Sequence, residues 1–235
     1  MSENRVATGI PGFDNLIEGG FPAGKSFLVK GEVGAGKSIF CLQYLLKGLM
    51  QGEKTVYVTV DEKPADIIDQ ATSMGWDLSE YLDKKDLLIL DASPYFTARM
   101  GAGKDKEVDV TKTVGDLANY VKRMEASRVV IDPVGPLIIS RDSTAHAQEN
   151  ARMLIHLLRS YMGTTNLLTS QALSGRGDVA SVEEFIVAGV VSLSVVRKEN
   201  RLTRTLLVRK MRQTATDLVE HQFDIIKGKG IVLKP

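Results

Sequence analysis

A chain of 235 residues is long enough to bury a full core, and its 30 basic and 29 acidic residues lack the basic excess of a dedicated nucleic-acid-binding surface. The single cysteine, Cys41, excludes an internal disulfide framework and fits a reducing compartment. His146, His156 and His221 are too far apart for HxxxH or HExxH pairing, no apolar run reaches membrane-span length, and the polar start Met1–Arg5 has no apolar h-region behind it. A soluble, cytoplasmic protein without a zinc site or a membrane partner is expected.

Short apolar runs alternate with stretches of helical period, which signals an α/β fold with a mainly parallel central sheet flanked by helices. The first strand reads Ser26–Lys30, followed by a glycine-rich turn and a helix from about Lys37 to Met50 that ends near Gly52. Thr55–Val60 is a second strand, expected beside the first, and Pro64 opens the next helix, where its missing N–H costs nothing. Asp86–Leu90 is a third strand, and Asp91–Asp109 reads as a long loop. Asp109 then caps a helix running toward Glu125. Arg128–Ile131 is a fourth strand ending at Asp132-Pro133, Ala145–Tyr161 carries helical periodicity, and Thr165–Thr169 is a fifth strand. Gly175–Asp178 marks a further loop. From Gly189 the rhythm becomes antiparallel: Val190–Val196 with Thr203–Arg209, then Gln222–Ile226 with Ile231–Leu233 across Gly228-Lys-Gly230. With no internal repeat, low-complexity tract or composition break, residues 1–235 are expected to form a single domain with C-terminal antiparallel hairpins.

Gly31-Glu32-Val33-Gly34-Ala35-Gly36-Lys37-Ser38 matches G-x-x-x-x-G-K-[ST] in full, with an apolar strand before it and a helical pattern after it, so that Gly31 through Ile39 are the candidate nucleotide-binding residues. Glycines let successive backbone N–H groups turn inward around phosphate oxygens, and the helix start adds its positive dipole end. Lys37 is expected on the β- and γ-phosphates and the Ser38 hydroxyl on Mg²⁺. Asp132 closes an apolar strand, the position from which a carboxylate holds the Mg²⁺ shell, although such an aspartate is also an ordinary turn residue. Asp61 and Glu62 close the second strand. Glu62, with the longer reach, is the candidate general base for an attacking water and Asp61 its helper, against a reading as helix-start charges ahead of Pro64. Gln171, after the fifth strand, either reads the γ-phosphate or is a plain polar loop residue.

Four stretches together resemble the KaiC-like family of RecA-fold P-loop ATPases. They are Thr8-Gly-Ile-Pro-Gly-Phe-Asp14 with Gly19–Gly24, the phosphate loop, Val58–Ile67 with its paired carboxylates, and Arg204–Arg212 with a K-x-R ending in Lys210 and Arg212. Val182-Glu-Glu-Phe185 resembles a further family segment, so the match covers nearly the whole chain. The resemblance implies a RecA-like fold, ATP/ADP over GTP, homohexameric rings with ATP between neighbours, and Lys210 and Arg212 acting in trans on the neighbour's γ-phosphate. Without the resemblance, those two read as charges on an exposed strand. Clock members of the family hold two such domains in tandem where this chain reads as one. Glu184 and Phe185 stand where their phosphorylated Ser–Thr pair lies, so autophosphorylation and timing are not carried over. Asp61 replaces a usual glutamate.

The leading expectation is a slow regulatory or signalling ATPase with an unidentified protein partner for its long loops. A recombinase-like DNA-binding ATPase shares this fold. Its loops need basic residues, and here Arg176 stands with Asp178 and Arg141 with Asp142. A nucleotide-gated scaffold with little hydrolysis is the third reading, opposed by Glu62.

Overall fold

The computed structural model describes residues 4–94, 109–138, 144–171, 184, 186–198 and 201–235. Its strands include β1 (Arg5–Val6), β2 (Phe21–Pro22), β3 (Ser26–Gly31), β4 (Thr55–Thr59), β5 (Leu87–Asp91) and β6 (Arg128–Asp132). They continue with β7 (Thr165–Gln171), β8 (Gly189–Lys198), β9 (Arg201–Met211), β10 (His221–Ile226) and β11 (Gly230–Leu233). β1 and β2 pair by themselves. The other nine, among the described residues, make one sheet in the order β11–β10–β9–β8–β3–β7–β6–β4–β5. From β8 to β5 every pairing is parallel. From β8 outward to β11 every pairing is antiparallel.

β3, β4, β6 and β7 are buried along nearly their whole lengths because helices cover both faces, so they read as continuous runs of apolar and β-branched residues. Alternation sends successive residues to different cores. With the short helix Phe13–Leu16 as α1, the side chains of Phe27, Val29, Tyr57, Val130 and Leu167 meet Phe40, Tyr44 and Leu45 of α2 (Lys37–Met50) and Ile67 and Ala71 of α3 (Pro64–Ser73). Leu28, Val58, Ile131 and Leu168 meet Val114, Leu117 and Val121 of a helix at Val110–Met124, and Ala151 and Leu154 of another at Thr144–Leu157. Asp109 caps the Val110 helix as expected, its carboxylate accepting from the Lys112 N–H at 2.9 Å. Short helices at Phe13–Leu16, Ser79–Asp83 and Gly135–Ile138 add to the expected elements, and the helical stretch expected over Ala145–Tyr161 closes in a π-helical turn at Leu158–Met162.

One expectation is corrected. The strand leading to Asp61 and Glu62 does not lie beside the phosphate-loop strand; β7 and β6 stand between them. Parallel strands are joined by crossovers over the sheet face, so neighbours in sequence need not be neighbours in space. β4 also stops at Thr59, and Val60–Glu62 continue as a bend. Most of the Asp91–Asp109 stretch, the Gly175–Val182 loop with Arg176 and Asp178, and Arg141, Asp142 and Phe185 lie outside the described residues. No helix among the described residues is long and apolar enough to cross a membrane.

Candidate functional site

The mouth of the site is the turn from β3 into α2. Gly31 is required by packing, because a Cβ there would stand 2.6 Å from the Leu193 carbonyl oxygen of β8. Gly36 is required by conformation: at φ 106° it is the left-handed N-cap of α2. It has no side chain to cap the helix, so the first N–H groups of α2, which have no intrahelical acceptor, face the loop uncapped. That is the donor set a phosphate needs. Ala35 is fully buried as the loop's anchor, while Val33 is 79% exposed at its tip. Lys37 curls back, its Nζ donating to Gly31 O at 2.8 Å and Glu32 O at 3.0 Å. Burial lowers its pKa, opposed by the nearby Asp132 carboxylate.

Asp132, at the end of β6, gathers three hydroxyls. Ser38 Oγ donates to Oδ2 at 2.8 Å, Tyr57 OH to the same oxygen at 2.6 Å, and Thr169 Oγ1 to Oδ1. Sheet register explains the convergence: Asp132 pairs with Thr59, and Tyr57 and Thr59 lie on the same face of β4. Burial and the Asp132 charge raise the Tyr57 phenol well above its ordinary pKa, so it stays a donor. The Ser38–Asp132 pair of hard oxygens fits Mg²⁺, which takes one or two protein ligands beside substrate phosphates. No cluster of three or more His, Cys, Asp or Glu suited to a metal occurs among the described residues.

Glu62 follows β4 at the same end of the sheet. Its backbone is pinned to Thr59 Oγ1, which donates to Glu62 O at 2.7 Å and accepts from Glu62 N at 3.3 Å. Glu62 is exposed as a residue, yet enough protein surrounds its carboxyl to raise the pKa. Partial burial is the largest cause, followed by the charges of Asp132, Asp66 and Asp61. Asp61 is exposed on the same bend. Gln171 ends β7 and pairs in register with Gly31, beside the loop.

Lys210 and Arg212 lie elsewhere. Lys210 pairs with Val190, which pairs with Leu28, three residues before Gly31 and so about 10 Å down the strand from the loop. The Lys210 ammonium donates to Glu184 O at 3.0 Å and Val187 O at 2.8 Å, and Arg212 is exposed. The fold therefore brings Lys37, Ser38, Asp132, Glu62 and the Gln171 backbone to one end of the sheet and leaves the K-x-R pair apart from them.

Tyr57, Thr169 and two further contacts carry no signal in the sequence. Glu32 Oε1 accepts from Val195 N at 2.8 Å where β8 runs past the end of β3, and Arg204 Nε donates to Gly34 O at 3.2 Å. The Thr8–Asp14 stretch braces the helix behind the loop. Asp14 Oδ1 accepts from Thr8 N at 2.9 Å and from Thr8 Oγ1 at 2.7 Å. This seats Phe13 edge-on against Phe40 of α2, with ring centroids 5.4 Å apart.

A family model described as ATPase: KaiC matches residues 6–235. The chain is 35% identical to a UPF0273 protein of Methanopyrus kandleri, with 100% of this chain and 94% of that protein aligned. It is 31% identical to circadian clock protein KaiC3 of Synechocystis sp. across 98% of its own length but only 46% of the clock protein's, and so spans less than half of that relative. A crystal structure of a KaiC-like protein from the hyperthermophilic archaeon Pyrococcus horikoshii OT3 superposes with a TM-score of 0.84 at 34% identity, covering 99% of this chain and all of that one.

Proposed function

This chain belongs to the KaiC family of RecA-like P-loop ATPases, and from that premise we propose that residues 1–235 act as one Mg²⁺-dependent ATPase domain with its ATP sites between subunits of a ring. The observation that carries the reading is the bond between Ser38 Oγ and Asp132 Oδ2, which joins the phosphate loop to the strand-end carboxylate. Mg²⁺ arriving with ATP would supply charge neutralisation at the β- and γ-phosphates. Gly36 leaves the α2 N–H groups open to the phosphates, and Lys37 exchanges the Gly31 and Glu32 carbonyls for phosphate oxygens. Ser38 and Asp132 hold the metal, and Gln171, beside Gly31, reads the γ-phosphate. Glu62 takes the proton of the attacking water, a role its raised pKa suits.

Lys210 and Arg212 are the remaining cations of the proposed machinery. The register that keeps Lys210 away from its own loop supports a place for the pair on a neighbour's γ-phosphate, as an arginine finger. Turnover would then follow assembly, which suits a regulatory or signalling switch in the cytoplasm acting on a protein partner.

Light scattering with and without Mg·ATP, beside phosphate release at several protein concentrations, tests this. A hexamer whose specific activity rises with concentration and collapses in Arg212→Ala is expected. A monomer with concentration-independent turnover would return Lys210 and Arg212 to surface charges and leave only a P-loop ATPase.

A further inference from the structure

Lys30 is the strand residue just before Gly31, but alternation turns its side chain to the face opposite α2. There Nζ meets Glu184 Oε1 at 2.6 Å, with the two side chains only 14% and 8% exposed. Its cross-strand neighbours are Ser170 on β7 and Ser192 on β8. Their buried hydroxyls find no hydrogen-bond partner among the described residues, so the ammonium is committed to Glu184 and not to the groups nearest its own backbone. Glu184 in turn presents its backbone carbonyl to Lys210 Nζ, which also bonds to Val187 O. A buried ion pair of this kind contributes little net stability, because desolvation offsets the attraction. What it supplies is position, and the hydrolytic machinery makes no other use of Lys30 or Glu184.

We propose that Lys30 and Glu184 are positioning residues that tie a chain's own phosphate loop to the amine it presents to its neighbour. Lys30 holds Glu184, and Glu184 holds Lys210. A phosphate that shifts the end of β3 moves Lys30, and one ion pair later moves the carbonyls on which Lys210 rests. Each site thereby reports its state to the next one around the ring, the differential contact that coupling between sites requires. The proposal rests on Lys210 acting in trans, as read above.

The test is a double-mutant cycle on the full chain, reading kcat, KM for ATP and mass by light scattering in Lys210→Met, Glu184→Gln and the double variant. Because Glu184→Gln leaves a buried ammonium behind, the apolar pair Lys30→Met with Glu184→Leu is run in parallel as a variant that keeps the packing. Lys210→Met is expected to lower kcat. Glu184→Gln and the apolar pair should each lower it about tenfold with KM and mass unchanged, and should add nothing in the Lys210→Met background. Equal losses in both backgrounds would mean that Glu184 acts structurally, overturning the link while leaving the trans reading in place. If Lys210→Met itself leaves kcat intact, the trans reading falls and takes this link with it.

Discussion

Arg128 and Asp132 close the two ends of β6, and the groups around them differ in kind. Arg128, 1% exposed, is saturated by fixed acceptors. Nε and Nη2 grip the two Glu53 oxygens at 2.7 Å, and Nη2 also reaches Gln51 Oε1 at 3.0 Å. Nη1 donates to Ala7 O at 2.7 Å and Tyr44 O at 2.9 Å, while the guanidinium carbon lies 4.8 Å from the Tyr44 ring centroid. Asp132 is held by three hydroxyls, each able to rotate to another acceptor, with the Lys37 ammonium nearby. Withdrawal of a charge from solvent is therefore not the functional signal. The signal is whether its partners can change partners, and only the C-terminal end of the strand is built that way.

Four measurements would break or sharpen that contrast. The largest effect is expected at the reactive end, where Glu62→Gln should cut phosphate release by about 10²–10⁴-fold with an unchanged urea midpoint. Equal release would remove Glu62 as the base. At the other end, Arg128→Met should lower unfolding free energy by about 3 kcal/mol, the low side of the range for a broken buried pair because Glu53 is 29% exposed. Turnover per folded molecule should hold, and a large loss of turnover at unchanged stability would erase the distinction. Tyr57→Phe removes one hydroxyl from Asp132 and should weaken Mg·ATP binding about tenfold by calorimetry, with little change in unfolding.

The smallest effect is a pH dependence. Hydrogen bonds from Arg128 are the main reason the Glu53 carboxyl is held below its ordinary pKa of 4.5. A depressed carboxylate contributes stability that is present above its unfolded value and lost as pH falls through the folded one. Denaturation followed below pH 4.5 should show that loss, and Arg128→Met should flatten it. An unchanged acid limb in the variant would mean that Glu53 does not depend on Arg128.

The features legible in the sequence are the local ones. The Gly31–Ser38 loop, its flanking strand and helix, the Asp109 cap and the late hairpins depend on residues a few positions apart, so spacing and turn chemistry announce them. Asp132 is legible as a strand-end carboxylate for the same reason, and Glu62 as a carboxylate just beyond a strand. Strand order is not, because pairing joins β3 to partners far along the chain and leaves no local mark. Tyr57 and Thr169 escape notice for want of that register, since each reads as an ordinary buried strand residue until Asp132 is set beside it. Arg128 reads only as a strand's polar first residue, although three of its partners come from the Tyr44–Glu53 stretch.

Beyond the finished molecule, the placement of β3 between β7 and β8 governs what a growing chain can do. The phosphate-loop sequence leaves the ribosome before either strand that flanks it, and both are present only once the chain has been extended through Leu193. At usual elongation rates that is roughly 10–30 s of synthesis. Throughout that interval the nascent polypeptide carries the motif without the cradle, and capture of nucleotide becomes a late event in its biogenesis. A truncated product ending before β8 should therefore fail to retain ATP, however intact its first half.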